Sequence, residues 1–141
     1  MTEQRNIQER LNRFYADTLQ ASKFDSVQQQ ELSLPLLLSV PKAFLEAPIR
    51  IMFVGKETNG WRGKLAAYYS GSVGIADLLD RYDQQMQQTT ARGAFSQMHQ
   101  RLANALAGGR KEAVLWNNLS KMDWDQGKSD SRTSLGHSAA L

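Results

Sequence analysis

The chain has 141 residues, no cysteine, two histidines and a formal net charge of +3. That length suits one domain, the lack of thiols removes disulfides, thiolate metal sites and cysteine nucleophiles, and two histidines argue against a histidine-rich metal centre. No run approaches the roughly 20 apolar residues of a membrane helix, and the start Met1-Thr2-Glu3-Gln4-Arg5 lacks a signal-peptide layout, so a cytoplasmic location is expected.

Ile7, Leu11, Phe14, Tyr15 and Leu19 recur at steps of three and four, which predicts a helix over 3–21 with Arg5, Glu9, Arg13 and Asp17 on its wet face. Residues 22–33, rich in glutamine, read as a loop or frayed turn. Pro35, Pro41 and Pro48 forbid a long helix through the following apolar stretch, leaving one helical turn at 42–46 and a candidate strand at 36–40. Ile49-Arg50-Ile51-Met52-Phe53-Val54 is short, apolar and bounded by Pro48 and Gly55, the pattern of a strand covered on both faces in a parallel sheet. Residues 55–63 then form a glycine-rich loop at the carboxyl end of that strand, where open α/β sheets bind ligands.

Two helical stripes follow, Ile75, Leu78, Leu79, Tyr82 and Met86, then Phe95, Met98, Leu102 and Leu106. Residues 89–93 separate them, and Gly108-Gly109 stops the second. Residues 113–116 read as a second strand, ended by Asn117-Asn118, since asparagine is disfavoured in strands. Strand, helices and strand is the crossover of a parallel sheet. From 125 onward the composition is polar, without an apolar face, which predicts a flexible tail.

Lys56, Arg62 and Lys64 add positive charge to the glycine-rich loop, whose backbone N–H groups could cradle an anion, although Trp61-Arg62 after Gly60 departs from the phosphate-loop pattern. Trp61 and Trp116 read as core. Asp77, Asp80 and Asp83 spread around their helix and read as a solvated face, and His99, beside an apolar stripe, reads as a boundary or core histidine. Ser120 has no adjacent base and no nucleophile-elbow glycines.

Arg50-Ile51-Met52-Phe53-Val54-Gly55-Lys56-Glu57-Thr58-Asn59 and, later, Val114-Leu115-Trp116-Asn117-Asn118-Leu119-Ser120 together resemble two motifs of the uracil-DNA glycosylase superfamily. These are the strand entering its water-activating loop and the strand carrying its base-reading asparagine. The resemblance covers residues 49–121. It implies Glu57 as the catalytic carboxylate, and Gly55, Lys56 and Asn117 at the base. Tyr68 or Tyr69 falls near the spacing of the stacking aromatic, with Tyr69 the choice, and Arg62 and Lys64 would meet phosphate. The pattern departs from the best-known branch at Lys56, Thr58, Asn59 and Gly60, and that branch's later histidine segment has no counterpart before Leu141.

The expected fold is therefore α/β, a three-layer αβα arrangement with a short parallel sheet, resembling a truncated uracil-DNA glycosylase-like domain over 1–124 with a polar tail over 125–141. The expected function is excision or recognition of a base in DNA, without metal or cofactor. The alternative is a non-catalytic α/β module that binds nucleic acid or a phosphate-bearing ligand. A sheet with so few strands leaves an open edge, which favours self-association.

Overall fold

The computed structural model describes residues 2–56, 61, 63–87 and 93–124, and the predicted tail lies outside them. Helix α1 (Glu3–Ala21) starts where Thr2 Oγ1 accepts the Arg5 N–H at 3.3 Å, an N-cap that satisfies an orphan donor of the first turn. Tyr15 and Leu19 are buried, and Arg5, Glu9, Arg13 and Asp17 are exposed, as the periodicity predicts. Phe14 departs from the stripe and is exposed.

Residues 22–33 are not all loop. Ser26–Glu31 form a helix, α2, because Asp25 and Gln28 make a reciprocal capping box. Two capped donors outweigh the low apolar content of this short stretch.

The apolar stretch after α2 does not join a sheet. Residues 32–38 are all buried, but they run as an extended thread with isolated bridges only, Leu32 to Trp124 and Ser33 to Lys64. Ser33 N–H donates to Asp123 O at 2.8 Å, and Leu36 N–H to Lys121 O at 2.7 Å. Further along, side chains of α1 take over the pairing. Leu38 N–H donates to the Tyr15 hydroxyl, Val40 N–H donates to Gln8 Oε1, and Gln4 Nε2 donates to Val40 O. The expected strand at 36–40 is absent because a helix's side chains, not a neighbouring strand, meet its backbone, and Pro35 offers no donor at all.

After the turn of α3 (Lys42–Glu46), strand β1 (Ile51–Gly55) runs parallel to strand β2 (Val114–Asn118), in register from Ile51 opposite Val114 to Gly55 opposite Asn118. The crossover carries α4 (Ala66–Tyr69), α5 (Ile75–Gln87) and α6 (Ala94–Leu106), then a 3-10 turn at Lys111–Ala113. The fold thus mixes helix and strand around a two-stranded parallel sheet. The second strand continues through both asparagines, whereas composition predicts an end before them. Pairing with β1 and burial of Asn118 override the weak strand propensity. At the head of α5, the Asp77 carboxylate accepts the Gly74 N–H at 2.8 Å, so that acidic residue serves the helix start. No helix among the described residues is long and apolar enough to cross a membrane.

Trp116 is the hub of the core. Its indole lies nearly parallel to the Tyr82 ring, 5.8 Å between centroids, and meets Phe95 and Trp61 edge-on at 5.0 and 5.5 Å. The fully buried Tyr82 hydroxyl donates to Trp116 O at 2.7 Å and accepts the Trp116 N–H at 2.9 Å. Burial raises the Tyr82 pKa, so the phenol stays neutral and keeps its donor. The His99 ring, also buried, donates from Nε2 to Val114 O at 2.7 Å. Together α5 and α6 thereby close the outer edge of β2 with side chains.

Tyr82→Phe keeps the ring but leaves Trp116 N–H and C=O unpaired. Urea unfolding is expected to show a loss of about 2–6 kcal/mol, at about 1–3 for each of the two buried unsatisfied groups, with helical circular dichroism unchanged. Burial, reinforced by the Lys111 charge, holds the His99 pKa below its ordinary 6.5. Below that pH the unfolded chain takes up a proton that the folded chain refuses. The His99 contribution is therefore complete above pH 6.5 and is lost as pH falls toward the folded-state pKa. His99→Gln is expected to flatten this part of the stability–pH curve.

Candidate functional site

The carboxyl ends of β1 and β2 bring Gly55, Lys56, Asn117 and Asn118 side by side. The chain then turns away, held by Leu119 N–H to Gly55 O at 3.0 Å and Ser120 N–H to Lys56 O at 2.9 Å. Gly55 is required by contact. A Cβ there would stand 2.5 Å from Asn118 Oδ1 and 2.9 Å from the Phe95 ring, inside the closest distances real side chains tolerate.

Alternation along β2 sends its two asparagines to opposite faces. Asn117 is half-buried, and its Oδ1 accepts from both the Asn118 N–H at 2.9 Å and the Lys121 ammonium. Lys121 also donates to Asn118 O, and its partial burial lowers its pKa. The carbonyl oxygen of Asn117 is thus committed, and its Nδ2 faces Met52 Sδ at 3.9 Å, a weak acceptor.

Asn118 lies on the Trp116 side and is buried. Its Oδ1 accepts the Trp116 indole N–H at 3.1 Å. That bond fixes the amide orientation, because turning it over would set two donors against each other. Its Nδ2 then has no acceptor among the described residues. A second buried donor beside Trp116, the indole Nε1 of Trp61, is also without an acceptor. Trp61 is held in place by its backbone N–H, which donates at 3.2 Å to Oδ2 of the buried Asp123. Among the described residues neither of these buried N–H groups finds an acceptor, and both flank one aromatic hub.

The other expected site residues fall as follows. Lys56 is exposed at the end of β1. Lys64 is half-buried at the bridge to Ser33. Tyr69 is committed elsewhere. Its hydroxyl donates to Leu19 O at 2.6 Å, and its ring meets Phe24 and Tyr68. It lines a shallow recess with Ala16, Gln20 and Gly71 that includes no residue of the strand ends. Glu57 and Arg62 lie outside the described residues. The described residues hold no cluster of histidine and carboxylate groups arranged for a metal.

Sequence reasoning marks both strand-end asparagines as hydrogen-bond readers but gives the base to Asn117, and it reads Trp61 as core. Period-two alternation from the buried Trp116 places Asn118 on the core side, a signal present in the sequence. The lone donor of Trp61 carries no such signal, since only the packing shows that no described residue meets it. Comparison of the chain with models of protein families, with curated proteins and with solved structures finds no match.

Gly55→Ala is expected to displace Asn118 or Phe95 and to cost about 1–3 kcal/mol by chemical unfolding, as overpacking of a filled core does.

Proposed function

We propose that the carboxyl end of the β1–β2 pair recognises a base in DNA, in the manner of a uracil-DNA glycosylase-like protein of three-layer αβα design. The observation that carries this reading is the orphaned, fixed amide N–H of buried Asn118, set beside Gly55 and the Trp116 ring. A donor whose own oxygen is already engaged selects an acceptor. It suits the carbonyl oxygen of uracil or hypoxanthine and opposes the exocyclic amine of cytosine or adenine. Trp61 Nε1 supplies a second donor for the same kind of ligand.

In this reading Asn118 takes the base-reading role that the resemblance assigns to Asn117, whose oxygen Lys121 occupies. The base enters from an unpaired or flipped nucleotide, since a stacked base could not reach a strand end. Lys56 stands exposed at the same end, available to backbone phosphate. Glu57, following it in sequence, is the carboxylate that orients water toward the sugar carbon and stabilises its oxocarbenium-like character as the bond to the base breaks.

The test uses single-stranded oligonucleotides that differ in one base, read by fluorescence anisotropy and by base release. Tighter binding to uracil- or hypoxanthine-containing strands than to the cytosine strand is expected, by tenfold or more, the scale of about 1–3 kcal/mol per base contact. Asn118→Asp, which replaces the donor by an acceptor, is expected to abolish the preference, whereas Glu57→Gln is expected to stop release and spare binding. Equal affinity for all strands by folded protein would remove the reading. Preference without release would leave base recognition alone, the non-catalytic form of the proposal.

A further inference from the structure

The two edges of the sheet are treated differently. On β2, the outward N–H and C=O of Trp116 are met by Tyr82, and Val114 O by His99. On β1, the bond from Leu119 N–H to Gly55 O shows that Gly55 points its backbone toward β2. By alternation Phe53 and Ile51 do the same, and the N–H and C=O of Met52 and Val54 point outward. No described residue bonds those outward groups. The side chains of the same two residues are exposed, 45% for Met52 and 48% for Val54, and Leu119 continues the apolar face. Arg50 and Lys56 stand on that face at either end of the strand. Arg50 stays exposed while reaching Glu3 at 3.8 Å and Leu45 O at 3.1 Å.

Native edges are blunted by short strands, edge charges, prolines, bulges or covering elements; β1 has cations only at its two ends, and among the described residues no proline, bulge or covering element lies over Met52 and Val54. The apolar pair offers two side-chain contacts, the backbone offers a ladder, and the flanking cations offer charge. A second copy centred on Phe53 fits poorly. Antiparallel pairing of β1 with itself about Phe53 would set Arg50 opposite Lys56 of the other copy, and like charges directly opposite destabilise a strand pair.

We propose that the outer edge of β1 takes an added strand from a partner protein, one with apolar residues at alternate positions and carboxylates at both ends. The stretch from Arg50 to Lys56 spans roughly 20 Å at about 3.3 Å per residue, so the complementary carboxylates lie six positions apart in the partner. Main-chain bonds supply affinity, and the apolar pair and the end charges supply selection.

The probe is a labelled peptide, Glu-Thr-Val-Thr-Val-Thr-Glu, whose valines and carboxylates share one face. It is compared by anisotropy with a version ending in lysine. Saturable binding of the acidic peptide is expected, at least tenfold weaker for the lysine version, with the difference shrinking as salt is raised. Val54→Pro removes an outward N–H at an edge where proline is tolerated, and is expected to abolish binding with the circular dichroism spectrum unchanged. Absence of binding at about 1 mM peptide, or equal binding of both versions, overturns the proposal. So does a dimer in sedimentation that Val54→Pro dissociates, since the occupant would then be a second copy.

Discussion

The Tyr82 hydroxyl bridges both backbone groups of Trp116, and the rest of the structure depends on that bridge. A sheet of two strands has as much edge as interior, and a buried edge must find partners for every N–H and C=O. Here a helix supplies them through side chains. The bridge holds α5 against β2 and lays the Tyr82 ring along the Trp116 indole. It thereby orients the indole N–H toward Asn118. The same solution recurs in the thread at 32–40, where Gln4, Gln8 and Tyr15 of α1 take the place of a missing strand. Helices in this domain are not only covers for apolar area; their polar side chains complete the backbone bonding of the extended segments.

The candidate site is a consequence of that packing. Once Trp116 is locked, its indole N–H claims Asn118 Oδ1, Gly55 leaves room for the amide, and Asn118 Nδ2 is left as a surplus donor. Trp61, anchored through Asp123, adds another. Natural cores rarely strand two donors around one ring, and such surpluses gather where a ligand completes the bonding. Lys121 performs the opposite service on the far face, where it saturates Asn117 Oδ1 and Asn118 O. Adjacent asparagines in the same strand therefore differ: Lys121 engages the side-chain oxygen of Asn117, and the buried Asn118 Nδ2 meets no acceptor among the described residues.

Much of the fold was legible in the chain. The stripe of α1, the two crossover helices, the two apolar strands and the glycine stop after α6 all follow from periodicity and punctuation. The capping box of α2 was legible in principle, since Asp25 and Gln28 stand at the required spacing. The thread at 32–40 was not. Whether an apolar stretch joins a sheet depends on which groups happen to face its backbone, and the glutamines that meet it lie some thirty residues earlier. At the site, Gly55 and the asparagine pair were visible as a strand-end constellation. The division of labour within the pair was not, because it turns on a lysine three and four residues later and on an indole packed by two helices.

By itself the sequence determined the periods and the breaks: where the chain can be helix, where it can be strand, and that two strands joined by helices run parallel. These are local properties, set by side-chain spacing and by the backbone limits of proline and glycine. Only the tertiary structure decided which hydrogen bonds remain unmade. Among the described residues, Tyr82 closes one edge of the sheet, nothing pairs the edge at Met52 and Val54, Lys121 engages the Asn117 oxygen, and the Asn118 and Trp61 side-chain donors meet no acceptor. Satisfaction of a polar group is a property of everything around it, and segments far apart in the chain meet only when the core has packed.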